Sequence, residues 1–181
     1  MNKNRCNWVT NDEVYIKYHD EEWGVPTHDD RDLFELLVLE SFQAGLSWIT
    51  ILKKRENFKK AFDDFDVSKV ANYDEDKVNE LRENEGIIRH KGKITSAINN
   101  AKVFIEIQNE FGSFDKYIWG FTNGNVIKAE YLTESKLSKT ISKDLKKHGM
   151  KFVGPTIIYS YLEAIGIIDN HQPDCFKFVE K

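Results

Sequence analysis

SKTISKDLKKHGMKFVGPTIIYSYLEAIG, residues 138–166, says more about the architecture of this chain than any other segment of its length. A basic helix is predicted from Ser138 to His148, and Gly149 ends it because glycine readily adopts the left-handed conformation found at helix ends. A second helix follows, with Pro155 suited to its first turn. Between the two helices, Met150 to Val153 form a tight apolar hairpin.

The start of the second helix is a candidate phosphate-binding site. Its first backbone N–H groups have no partner within the helix, and such a terminus accepts a phosphate without reading the base sequence. The segment therefore has the form of a helix-hairpin-helix, a module that grips the DNA backbone, with Lys151 and Gly154 as candidate contacts. An ordinary αα-turn inside a helical bundle is the alternative.

Helical periodicity continues through nearly the whole chain, and no convincing alternating strand is present. Asp29 is placed to cap a helix that Gly45 stops, and Ser47 to cap the next, which runs to about Phe62. The remaining predictions are a helix from Asp74 towards Gly86, an apolar helical stripe from Ile94 to Ile105, a short helix around Phe114 to Phe121 and an irregular connection from Thr122 to Leu137. We predict an all-α fold with a single domain over residues 1–181.

Composition narrows the class of protein further. The chain has 181 residues, 40% of them hydrophobic, which is enough to bury one good core. It has neither a signal-peptide pattern nor an apolar run of membrane-spanning length, so we expect a cytoplasmic protein that does not enter membranes. We also expect it to act as a monomer. The net charge is −4, but basic residues cluster at 53–60, 89–93 and 143–151. Such clusters are found both in patches that bind nucleic acid and on solvated helix faces.

Both cysteines and two of the five histidines lie in two clusters at opposite ends of the chain. Cys6 and His19 are near the start, and His171 and Cys175 are near the end. Two thiolates and two imidazoles make a closed tetrahedral zinc set, which serves structure because it leaves no open coordination position. We therefore predict one structural zinc ion that clips the termini together. The alternative is that the cysteines are simply buried small side chains.

Glu40 lies on the same predicted helix face as Leu33, Leu36 and Leu37, so its carboxylate points at the core. A buried acid needs a cation, several hydrogen bonds or a pocket, and an ion pair with Arg55 is the simplest alternative. Flat aromatic side chains are unusually dense nearby. They are Trp8, Tyr15, Tyr18, Trp23 and Trp48, which could equally be ordinary core residues.

Four long blocks of this sequence resemble the 3-methyladenine DNA glycosylase I family. They are YHDEEWGVP (residues 18–26), LESFQAGLSWITILKKRENF (residues 39–58), GIIRHKGKI (residues 86–94) and KFVGPTIIYS (residues 151–160). The blocks occur in order and span nearly the whole chain, which makes the resemblance far more specific than any single motif.

The resemblance implies a helix-hairpin-helix DNA glycosylase that removes 3-methyladenine from alkylated double-stranded DNA, releasing the free base and leaving an abasic site. It implies that zinc ties the termini together through Cys6, His19, His171 and Cys175. It also implies that Glu40, Tyr18 and Trp48 hold the damaged base, with Trp8 and Tyr15 as further aromatics around it.

The family's loop at the damaged strand corresponds to QAGLSW, residues 43–48. Leu46 is therefore expected as the wedge and Gln43 as the plug once the nucleotide has left the stack, with Gly45 between them. This chain departs from the relatives at Ser41 and Phe42, which argues against a polar DNA contact at position 42.

Catalysis is expected to depend on Glu40 rather than on Asp169, which lies too close after the hairpin and next to a predicted zinc ligand. No lysine stands at the start of the second hairpin helix, where Pro155 and Thr156 lie, so we predict a monofunctional enzyme that hydrolyses the bond without cutting the strand. A non-catalytic protein that binds damaged DNA is the alternative function. A zinc hydrolase is a third, disfavoured because four protein ligands fill the zinc shell.

Overall fold

The computed structural model describes residues 3–128 and 132–179, and this part of the chain is predominantly helical. In chain order, the helices are α1 (Glu13–Glu21), α2 (Asp30–Gln43), α3 (Trp48–Ala61), α4 (Val67–Ala71), α5 (Glu75–Glu83), α6 (Lys91–Phe111), α7 (Phe114–Gly120), α8 (Lys136–Lys147) and α9 (Pro155–Ala164). A single 3-10 turn, Asp63–Phe65, precedes α4. Within the described residues, no helix is both long and apolar enough to cross a membrane.

The predicted boundaries of α2 and α3 are close to those observed. The Asp29 carboxylate accepts hydrogen bonds from the backbone N–H groups of Arg31 and Asp32, which satisfies two of the unpaired donors at the start of α2. Gly45, with φ of +79°, follows the end of this helix. Ser47 does precede α3, but its hydroxyl contacts the Thr50 hydroxyl at 2.7 Å instead of capping the backbone.

Three features differ from the sequence predictions. Helices α1 and α4 were not predicted because both are short, with nine and five residues, and too few turns to show a clear helical period. Helix α8 begins at Lys136 rather than at Ser138, since Ser135 and Ser138 form a reciprocal capping box one turn earlier. The connection predicted to be irregular contains a two-residue strand, β1 (Ile127–Lys128), which pairs in parallel with β2 (Ile168–Asp169). Residues 129–131 of that connection lie outside the described part of the chain.

Helix α2 runs through the centre of the molecule, and ten of its fourteen residues, from Leu33 to Phe42, are buried. It packs against α3, α6, α7 and α9. A helix covered on nearly all sides must bury any polar residue it carries. The central position of α2 therefore explains why Glu40, in its last turn, is only 3% exposed.

Helices α8 and α9 pack against each other and are joined by residues 148–154. Gly149 has φ of +103°, the left-handed conformation expected at this turn. Gly154 precedes α9 and offers no side chain to its first N–H groups, and Pro155 occupies the first turn as predicted. These N–H groups are thus available to another acceptor.

Candidate functional site

A cavity of about 330 Å³ lies among the N-terminal segment, α1, the end of α2, the start of α3, residues 132–133 and α9. It brings together every residue that the sequence assigned to base binding, together with Glu40 and Gln43. The residues that line it are Trp8, Tyr15, Tyr18, Trp23, Glu40, Gln43, Trp48, Leu132, Thr133, Thr156, Tyr159, Ser160 and Glu163.

The aromatic residues of the cavity hold one another in place through edge and tilted contacts. The Trp8 ring meets Tyr15 edge-on with centroids 5.2 Å apart, and it meets Trp23 at 5.0 Å. Tyr18 and Trp48 are tilted by 56° at 5.5 Å. Because these rings also line the cavity, a flat ligand could stack against them.

Two buried polar atoms of the cavity residues lack a hydrogen-bond partner among the described residues. One is the Oε2 acceptor of Glu40 and the other is the Nε1 donor of Trp48. Leaving such groups unpaired typically costs about 1–3 kcal/mol each, so a ligand that offers both a donor and an acceptor would recover that cost. The unpaired acceptor and donor thus favour a planar polar ligand over an apolar one.

Burial raises the pKa of Glu40 well above its ordinary value, and the nearby carboxylate of Glu163 raises it further. The alternative of an ion pair between Glu40 and Arg55 is wrong. Arg55 instead binds Glu35, with Nε 2.5 Å from Oε1, and Glu22, with Nη1 2.7 Å from Oε2. Glu40 therefore has no cation of its own within the described structure, and a cationic ligand would stabilise its charged form.

Glu163 is one of several pocket residues that the sequence analysis missed, and it is the one that carries a carboxyl group. Burial raises its pKa to about 7, although Asn170 donates a hydrogen bond to its Oε1 at 2.8 Å. A signal was present, because Thr156, Tyr159, Ser160 and Glu163 follow the spacing of one helix face. The cavity consequently contains two carboxyl groups, and neither is paired with a basic side chain of residues 3–128 or 132–179.

Cys6, His19 and Cys175 form a second cluster, in which one ligand atom from each residue lies within 4.8 Å of the others. All three are buried. Burial, and to a lesser degree the adjacent Cys175, raises the pKa of the Cys6 thiol to about 12. Two thiols beside an imidazole are soft donors that a metal cation would stabilise as thiolates, and the group could hold a metal ion.

Both histidines near this cluster are oriented by a carboxylate. His19 Nδ1 lies 2.8 Å from Asp20, which Arg5 holds through two further contacts, and His171 Nδ1 lies 2.7 Å from Asp169. Such partners fix the tautomer so that Nε2 carries the free electron pair, as is usual for metal-ligating histidines. Asp169 therefore contacts His171 and does not line the cavity.

His171 lies beside the three-residue cluster rather than within it. Its ring centroid is 5.4 Å from that of His19, and its buried Nε2 has no hydrogen-bond partner among the described residues. Gly24 makes room for this ring: a Cβ at Gly24 would lie 2.7 Å from His171 Cε1, and its φ of +74° also favours glycine. Trp8 and Trp23 contact the two histidine rings, so the cluster supports one wall of the cavity.

Of the residues predicted to contact DNA, Gln43 lines the cavity, whereas Gly45, Leu46, Lys151 and Gly154 do not. Leu46 is 40% exposed on the loop after α2, next to Gly45, and Lys151 is exposed at the turn before Gly154. Of the basic clusters, the one at residues 53–60 is largely neutralised, since Lys53 pairs with Asp12 and Arg55 with two glutamates. Lys143, Lys146 and Lys147 on α8 are exposed and form no ion pair within the described structure.

The fold and the cavity define a class: a helical protein with an aromatic, acidic pocket for a planar ligand. The model of the methyladenine glycosylase family matches residues 8–178. The chain is also 46% identical over 177 residues to DNA-3-methyladenine glycosylase 1 of Escherichia coli (strain K12), a match that covers 94% of this chain and 95% of the relative. The chain belongs to the methyladenine glycosylase family, as its sequence blocks predicted.

Solved structures agree with this assignment. A crystal structure of 3-methyladenine DNA glycosylase I superposes with a TM-score of 0.93 at 44% identity, covering 96% of this chain and 99% of the other. A variant of 3-methyladenine DNA glycosylase I in complex with 3-methyladenine superposes with a TM-score of 0.92 at 40% identity, covering 96% of both chains. The predicted helical fold is thereby confirmed.

Proposed function

We propose that this protein is a DNA repair glycosylase that hydrolyses the N-glycosidic bond of 3-methyladenine in alkylated double-stranded DNA. The observation that carries the proposal is the cavity, whose walls include aromatic rings, the Glu40 carboxyl and the Trp48 indole in a chain of this family. One oxygen of that carboxyl and the N–H of that indole have no hydrogen-bond partner among the described residues. An adenine offers an exocyclic amino group as donor and ring nitrogens as acceptors, which complement these two atoms.

The charge of the substrate explains how a site with few catalytic groups can promote base release. Methylation at N3 makes the base of the nucleotide cationic, so the base is already a good leaving group and needs no general acid. Glu40 stabilises the cationic base, and Trp48 and Tyr18 stack against it. When the bond breaks, the base takes the bonding electron pair and becomes neutral, and water adds to the oxocarbenium-like sugar with loss of a proton.

Selectivity follows from the same features. A normal adenine carries no positive charge, so its binding leaves the buried Glu40 carboxyl without the cation that would stabilise it. It is also harder to extract from its base pair than a damaged base. The free-energy costs of these two steps add, so the factors by which each step discriminates against normal adenine multiply.

The exposed lysines of α8 and the open N-terminus of α9 support a DNA-backbone contact by the α8–α9 pair, acting as a helix-hairpin-helix. In this arrangement Lys151 and Gly154 approach the phosphates. Leu46 enters the duplex as a wedge, with Gly45 permitting the turn before it, and Gln43 fills the gap. Trp8 and Tyr15 complete the wall of the base pocket.

We further propose that Cys6, His19, His171 and Cys175 bind one zinc ion. Two thiols, two carboxylate-oriented imidazoles and the unpaired Nε2 of His171 fit the tetrahedral N and S coordination of zinc. The ion would supply a link between the N-terminal segment, α1 and the C-terminal segment, and it takes no part in the reaction. The expectations of a single domain over residues 1–181 and of a cytoplasmic monomer remain predictions.

Detection of free bases released from methylated duplex DNA tests the proposal. The wild type should release 3-methyladenine and leave the strand intact, whereas Glu40→Gln should release much less. Asp169→Asn is the matched control for the other candidate carboxylate, and an equal or greater loss in that variant would refute the role given to Glu40. Tight binding to alkylated duplex without release of any base would favour the non-catalytic alternative.

A further inference from the structure

Lys93 is a buried cation in the first turn of α6, only 7% exposed. Its Nζ donates hydrogen bonds to the carbonyl oxygens of Phe42, at 2.8 Å, and Ala44, at 2.5 Å. Burial lowers the pKa of this lysine. A side chain with this much rotational freedom and this strong a preference for water is rarely buried, and here its position is fixed by two backbone groups.

The two carbonyls belong to the end of α2, where the helix needs an external donor. The last carbonyl groups of a helix lack partners within it and carry partial negative charge, and α2 has no basic residue in its last turn. Lys93 supplies both the hydrogen bonds and the positive charge from a different helix. It thereby anchors the chain just where α2 gives way to Gly45 and Leu46.

The same helix also holds the turn between α8 and α9. The Asn100 side chain donates to the Lys151 carbonyl at 2.7 Å and accepts from the Lys151 N–H at 2.8 Å. Asn99 donates to the Gly149 carbonyl at 2.9 Å. Helix α6 is therefore one continuous element bonded to both backbone segments that face DNA in the proposed function.

We propose that Lys93 is a positioning residue, which fixes the 44–47 loop relative to the α8–α9 turn so that Leu46 can enter the duplex while the turn holds the phosphates. The inference rests on the proposed function. The physical basis of the inference is that Leu46 can enter the duplex only at a fixed distance from the groups that contact the phosphates. The loop contains the exposed Gly45 and is flexible, so it needs an anchor to keep that distance.

Base release from two duplexes that differ only in the base opposite the damage tests the inference. In one, 3-methyladenine is paired with thymine, and in the other it faces a mismatched base, which lowers the cost of extraction. Lys93→Met, which keeps the length of the side chain but removes its donors, should lower release from the paired duplex by about tenfold, the effect of losing about 1.4 kcal/mol. Release from the mismatched duplex should fall by less than about threefold.

Lys93→Arg keeps the charge and the donors and should recover most of the activity on the paired duplex. Leu46→Ala should reproduce the same selective loss, and combining it with Lys93→Met should add little, because both changes remove one wedge. If Lys93→Met does not fold, Lys93→Gln, which removes the charge and ends one atom short of the lysine Nζ, replaces it with the same expectation.

Equal losses on the two duplexes, or no loss on either, would overturn the inference, because a merely structural lysine would affect both substrates alike. An additive Lys93→Met and Leu46→Ala pair would also overturn it. Failure of the wild type to release 3-methyladenine from either duplex is a different result, and it would refute the proposed function itself.

Discussion

Replacing Glu163 by glutamine is expected to stabilise the protein at alkaline pH and to change its stability little at acidic pH. The pKa of this carboxyl is about 7 in the folded protein, raised by burial from an ordinary value of 4.5. Between those two values the folded chain keeps a proton that the unfolded chain has lost. The free energy of unfolding therefore decreases as the pH rises from about 4.5 to about 7, and it stays low above that range.

The size of the effect follows from the same two pKa values. At about 1.4 kcal/mol per pKa unit, the raised pKa of Glu163 lowers the free energy of unfolding, relative to its value at acidic pH, by about 3 kcal/mol at pH 8 and by less than about 1 kcal/mol at pH 5. Glutamine does not titrate, and its Oε1 can still accept the hydrogen bond from Asn170. The variant should thus exceed the wild type by about 3 kcal/mol at pH 8.

Urea denaturation at pH 5 and at pH 8, with both proteins carrying the same metal content, measures this difference. Most other titrating groups, including the candidate zinc ligands, cancel between wild type and variant. Glu40 does not cancel, but it acts in the same direction, because removing the Glu163 charge lowers the pKa of Glu40 and so adds stability at alkaline pH. Glu83→Gln, at the exposed end of α5, is the matched control and should change stability little at either pH. A gain from Glu163→Gln that is the same at both pH values would refute the reasoning, because only a titrating carboxyl produces the pH dependence.

Three further predictions follow from the same structure. Glu163→Gln should shift the acid limb of the pH profile for base release to lower pH. The reason is that Glu163 raises the pKa of Glu40, and the ionised form of Glu40 binds a cationic base. An unshifted acid limb would contradict the coupling between Glu163 and Glu40. Removal of metal by a chelator should lower the melting temperature, and zinc but not magnesium should restore it, since soft thiolate ligands select zinc; an unchanged melting temperature would contradict the zinc clip. Gly24→Ala should destabilise the protein by about 1–3 kcal/mol and reduce its zinc content, because the new Cβ strains the backbone and displaces the His171 ring; full zinc occupancy by mass spectrometry together with wild-type stability would contradict this.

Local rules of helix formation account for the helices that sequence reasoning placed well. Asp29, Asp74 and Pro155 act within one turn of themselves, so their neighbours in sequence are enough to locate α2, α5 and α9. The short helices α1 and α4 depend on packing against the rest of the chain, and local propensity alone does not specify them. The β1–β2 pair joins residues 41 positions apart, which no local pattern encodes.

The family, the helical class and five of the cavity residues (Trp8, Tyr15, Tyr18, Glu40 and Trp48) could be recognised from the sequence alone, because ordered blocks such as residues 39–58 and 151–160 identify the family without coordinates. Only the tertiary structure showed that Arg55 belongs to Glu22 and Glu35, that Glu163 joins Glu40 in one cavity and that Lys93 holds the end of α2. These relations depend on distances between helices that are remote in sequence. Charge pairing and burial are set by such distances rather than by spacing along the chain.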